Sequence, residues 1–144
     1  MALRSTPQIY QGRSDTLSVQ LYFGFDDHLW RVVSISKMWD HDKTGAQARS
    51  RFGEVHKLLI ERYGNSTDHF STPSSTFFSD SDEFAYGIST NNRFYFYEWN
   101  TSDLYIELSV QADMESTCYV IIYEFKPLGA GVKTHMQTKE KDAL

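Results

Sequence analysis

One stretch of this chain repeats its apolar residues with a helical period. Wherever else a period can be read, it is two. Between Thr44 and Gly64, the residues Ala48, Phe52, Val55, Leu59 and Tyr63 recur at steps of three and four, with Leu58 and Ile60 widening the stripe. A single amphipathic helix must therefore be reconciled with several strands. A sheet of five or six strands spaced about 4.8 Å apart is roughly 25 Å wide, whereas a helix is about 10–12 Å across. The helix is too narrow to cover one whole face. The sheet must curl on itself, be covered by a loop or tail, or receive another molecule.

The strands are read from alternation. Leu17 to Phe25 sets Leu17, Val19, Leu21, Phe23 and Phe25 against Ser18, Gln20, Tyr22 and Gly24, and Leu29 to Ser36 returns after a turn at Asp26-Asp27-His28. After the helix the sequence predicts a polar loop over 65–75 and a short strand at Thr76-Phe77-Phe78. A meander then follows with strands at Phe84–Ser89, Arg93–Trp99, Leu104–Val110 and Thr117–Phe125. An Asn100–Asp103 turn sets Trp99 opposite Leu104, Tyr97 opposite Ile106 and Tyr95 opposite Leu108 on the helix side. Phe94, Phe96, Glu98, Tyr105, Glu107 and Ser109 then share the other side. The last strand is apolar on both sides, with Cys118, Val120 and Ile122 on one and Tyr119, Ile121, Tyr123 and Phe125 on the other, which predicts a central position.

The reading is an α+β fold: a mostly antiparallel sheet of five to six strands, built from a β-hairpin, one long helix and a β-meander, with the helix packed on one face. Residues 16–126 form the single domain, 1–15 a loosely ordered N-terminal segment with Ile9-Tyr10 as a short edge strand, and 127–144 a flexible C-terminal tail. Thr44 and Gln47 have the spacing of a capping box, and Gly64 that of a helix C-cap. Gly53, which costs about 1 kcal/mol against alanine inside a helix, is explained by a close approach of helix to sheet.

The 144 residues carry 19 acidic and 14 basic side chains, a net charge of −5, with no run of Lys and Arg, so the footprint needed to displace counterions from phosphates is missing and no nucleic-acid partner is expected. No stretch reaches the roughly 18–20 apolar residues of a membrane span, and Met1 to Pro7 lacks the apolar core of a secretory signal. The lone Cys118 excludes an internal disulfide, is compatible with the cytoplasm, and sits in an apolar run with no base beside it.

Asp40-His41-Asp42 and Asp80-Ser81-Asp82-Glu83 group possible metal donors, but neither has the ligand spacing of a calcium loop, and both read as solvated turns. Among His28, His41, His56, His69 and His135 no pair has zinc spacing on a helix. No metal, cofactor or catalytic residue is assigned. Aromatics make up 15% of the chain, a supply large enough for both a core and an interface. The candidate partner- or ligand-binding set is Phe96, Glu98, Tyr105, Glu107, Tyr119 and Tyr123, an aromatic and acidic sheet face. The leading expectation is a non-enzymatic interaction or accessory domain that uses this face or an edge strand, with a protein partner or a homodimer. The alternative is a small-molecule or glycan-binding domain with a pocket between curved sheet and helix, where Tyr95, Tyr97 or His56 would supply polar groups.

Overall fold

The computed structural model describes residues 16–24, 27–70 and 83–127. These form β1 (Thr16–Phe23), β2 (Leu29–Ser36), α1 (Ala46–Tyr63), β3 (Thr67–Phe70), α2 (Phe84–Ser89), β4 (Tyr95–Asn100), β5 (Leu104–Asp113) and β6 (Ser116–Phe125). The strands make one antiparallel six-stranded sheet in the order β1-β2-β6-β5-β4-β3. The α+β architecture expected from the alternation is therefore present, with α1 on one face. Among the described residues no helix is long and apolar enough to cross a membrane. The expected strands at Ile9-Tyr10 and Thr76–Phe78 and nearly all of the expected tail lie outside the described residues.

β6 is central, between β2 and β5, as its two apolar sides require. Its helix-side residues Tyr119 and Ile121 join Trp99, Ile106, Leu108 and Val110 of β4 and β5 in a core completed by Ala48, Phe52, Val55 and Leu59 of α1. Those four helix positions fall three and four residues apart, so one stripe of α1 meets the sheet. At the turn between β4 and β5, Thr101 and Leu104 close on each other, and Trp99 pairs with Ile106 and Tyr97 with Leu108. The turn is tighter than the sequence suggests and the register is displaced by two residues. An even displacement keeps every side chain on its expected face.

Two elements differ from the sequence reading. Phe84–Ser89 is a helix rather than a strand: Phe84 and Ile88, four apart, are buried, whereas Tyr86, which strand alternation would bury with them, is exposed. Its start is pinned by the Ala85 N–H donating to the Lys43 carbonyl at 2.9 Å. In the segment read as loop, Thr67–Phe70 forms the edge strand β3 against β4. Four residues that are mostly exposed carry too little alternation to be seen in sequence.

The start of α1 also differs. The Gln47 side chain does not close a capping box; the Asp42 carboxylate accepts from the Gln47 and Ala48 N–H groups at 3.2 and 3.3 Å. At the other end, the Gly64 N–H donates to the Ile60 carbonyl, and the Gly64 carbonyl accepts from the Trp99 indole N–H at 2.8 Å. This ties the helix end to β4. The close-approach account of Gly53 does not hold, since a Cβ built there meets nothing within 4 Å. Gly53→Ala is therefore expected to stabilise the fold by about 1 kcal/mol, read as a rise in Tm of about 3 °C.

Candidate functional site

Among the described residues, α1 packs on the β4–β5–β6 side of its sheet face and does not cover the β1–β2 side. On that side β2 aligns Val32 beside Tyr123 and Ser34 beside Ile121, and β1 aligns Val19 beside Ser34. A cleft of ≈ 640 Å³ lies between these strands and α1, lined by Val19, Val32, Ile121, Val55, Leu58 and Leu59. Ser34, Tyr63 and Tyr123 add hydroxyls, and the exposed Glu61 and Arg62 stand at the rim. Leu58, on the helix wall of the cleft, is 49% exposed. The opposed charges of Glu61 and Arg62 leave the rim without a preferred sign.

Tyr95, Tyr97 and His56, the polar groups expected for a pocket between sheet and helix, do not line this cleft. Tyr95 and Tyr97 pack on Phe52 with ring centroids 5.3 and 5.2 Å apart. The His56 ring lies on Tyr97 at 3.4 Å and 5°. Burial lowers the His56 pKa, against a smaller opposing pull from Asp68. His56 Nε2 and Ser66 Oγ are 2.9 Å apart, a pairing that sequence separation hid. Ser66 Oγ also lies 3.4 Å from Asp68 Oδ1, so the serine stands between an imidazole and a carboxylate. Burial pushes the Cys118 thiol up to about 11, so it is protonated at neutral pH.

Of the six expected site residues, four meet on the other sheet face and two do not. Glu98 and Glu107 are directly paired across β4 and β5. The Tyr105 hydroxyl is shared between them, 3.1 Å from Glu98 Oε2 and 3.3 Å from Glu107 Oε2. Phe96 lies beside them, its ring stacked on His69 at 4.5 Å, and His69 Nε2 is 3.2 Å from Glu98 Oε1. Tyr119 and Tyr123 are on the helix side instead: Tyr119 is 1% exposed in the core and Tyr123 lines the cleft. The alternation of β6 itself dictates this, since Cys118, Val120 and Ile122 occupy the face of Glu107.

Burial raises the Tyr105 pKa, helped by both carboxylates. Burial also raises that of Glu107; Glu98 and Glu124 push the same way, while the Tyr105 hydrogen bond and Arg31 oppose them. The fold therefore binds the Glu107 proton more tightly than the unfolded chain does. Its stabilising contribution is present below the ordinary carboxylate range and is lost as pH rises through the folded pKa. Glu107→Gln, which keeps the neutral form, is expected to raise Tm at pH 7 and to leave it unchanged near pH 4, as thermal melts at both pH values will show. Among the described residues, no group of three or more His, Cys, Asp or Glu side chains is arranged to hold a metal ion. Comparison with known protein families, curated proteins and solved structures finds no match for this chain.

Proposed function

We propose that this domain is a non-catalytic binding module whose site is the cleft between α1 and the β1–β2–β6 side of the sheet. The observation that carries the reading is an apolar, partly enclosed space of ≈ 640 Å³ bordered by a half-exposed leucine. This volume is within the roughly 300–1,000 Å³ of small-ligand sites, and the ratio of apolar walls to hydroxyls is that of a site for a mostly apolar, uncharged ligand. Ser34 lies on the sheet floor, where its hydroxyl supplies a directional contact, and the aliphatic walls supply the affinity.

The test is titration of the full chain with N-phenyl-1-naphthylamine, an uncharged apolar fluorophore. Saturable uptake at one site is expected, weakened at least tenfold by Leu58→Glu, which places a charge on the cleft wall at a cost above ~1.4 kcal/mol. Because Leu58 is half exposed, that variant should melt like the parent. Phe96→Ala, on the other sheet face, should leave uptake unchanged. Absence of saturable uptake, or uptake indifferent to Leu58→Glu, sinks the reading.

A second reading rests on the Glu98–Glu107 pair. Like charges directly opposed across two strands are unfavourable, and one hydroxyl proton serves both carboxylates. A cationic group from a protein partner, received over Phe96 and Tyr105, would relieve that repulsion. Titration with a short lysine peptide, followed by the NMR signals of Tyr105, is expected to show shifts that vanish in Glu107→Gln. Unchanged Tyr105 signals throughout would exclude it.

A further inference from the structure

Among the described residues the sheet ends in β1 on one side and β3 on the other, and these two edges are built differently. β3 is four residues long and carries Asp68 and His69, the short, charged form by which exposed edges avoid pairing. β1 is eight residues long, Thr-Leu-Ser-Val-Gln-Leu-Tyr-Phe, with no charge, no proline and no glycine. Among the described residues only β2 pairs with it. Its register against β2 is regular from Ser18 to Tyr22, with irregularities only at the two ends. A long, uncharged, regular edge presents a ready row of backbone donors and acceptors to another strand.

We propose that β1 pairs with β1 of a second copy of this chain, antiparallel, so that two sheets continue as one. Antiparallel pairing of a strand with itself has a two-fold axis normal to the sheet, which closes the assembly as a dimer. The regular stretch is centred on Gln20, which places the two Gln20 residues opposite each other at the axis. The axis leaves both copies of α1 on the same face. Val19, which lines the cleft from β1, then has a second β1 beside it, so the cleft wall that ends at the sheet edge in one chain continues into its partner. The proposal completes the cleft but does not rest on its occupancy, and it is read separately from any ligand.

Light scattering on the full chain is expected to give the mass of two chains. Gln20→Lys and Gln20→Glu, each placing like charges opposite each other at the axis, should each give monomers with a native circular-dichroism spectrum. Mixing the two variants should restore a dimer containing one of each, because the opposed charges then attract. A wild-type monomer at the highest attainable concentration overturns the proposal. So does a dimer that survives both variants, which would place the interface elsewhere.

Discussion

Asp42→Ala is expected to lower the stability of this domain by about 3 kcal/mol, the sum of a lost helix cap and a buried hydroxyl left without its acceptor. Asp42 is only 4% exposed. Besides the two helix N–H groups it accepts, its Oδ2 takes the Thr117 hydroxyl at 2.6 Å, and Thr117 is fully buried at the start of β6. The backbone around it is stitched to the same place, Trp39 pairing with Thr117 and the Asp42 N–H donating to the Glu115 carbonyl at 2.8 Å. One carboxylate thus fastens the start of α1 to the sheet on which α1 packs, and its negative charge complements the helix N-terminus. Urea titration should show the midpoint falling with little change of slope. The coupling is separable: Thr117→Val should cost less in the Asp42→Ala background than in the parent. Equal costs would mean that the two side chains act independently.

Gly45→Ala is expected to be as damaging, at about 3 kcal/mol. Gly45 precedes the helix at φ +67°, where a side chain costs about 1–2 kcal/mol. A Cβ there would also lie 2.5 Å from two atoms of the Phe84 ring. That ring has little room to yield, since it is fully buried and edge-on to Tyr95, with the Arg49 guanidinium 4.3 Å and the Arg93 guanidinium 4.6 Å from its centre. Overpacking of this kind adds roughly 1–3 kcal/mol. Near 3 °C per kcal/mol, Tm should fall by about 10 °C. A drop below about 3 °C would mean that α2 moves away from the helix start at small cost.

The sheet was largely legible because alternation fixes which face a residue occupies, and faces survive even the two-residue displacement between β4 and β5. The same rule, applied within β6, separates Tyr119 and Tyr123 from Glu107. Grouping them by residue type rather than by parity put them on the wrong face. Short elements were not legible. Phe84, Tyr86 and Ile88 alternate as well as any strand, and long-range contacts favour the helical turn: the seat of Phe84 between Gly45, Arg49 and Tyr95, and the Ala85 N–H on the Lys43 carbonyl. The acidic cluster was half visible: strand positions predicted Glu98, Glu107 and Tyr105 together, but His69 came from a segment with no strand signal. A pocket between sheet and helix was legible as one consequence of the shortage of cover, but the residues that line it were not. Which half of the sheet α1 would occupy depends on Asp42 and Gly64, whose partners Thr117 and Trp99 are 75 and 35 residues away.

The pairing of β2 with β6 has a consequence for how the chain matures. Among the described residues, the N-terminal hairpin finds its sheet neighbour only in β6, about ninety residues later. At roughly 5–20 residues per second, a ribosome delivers that strand some five to twenty seconds after it finishes β2. Throughout that interval β2 lacks the strand it pairs with, and a nascent chain stopped before Ser116 would leave that edge of the hairpin open. Completion of the domain is thus timed by its C-terminal strand, and protection of the early hairpin during synthesis falls to whatever else the cell can offer it.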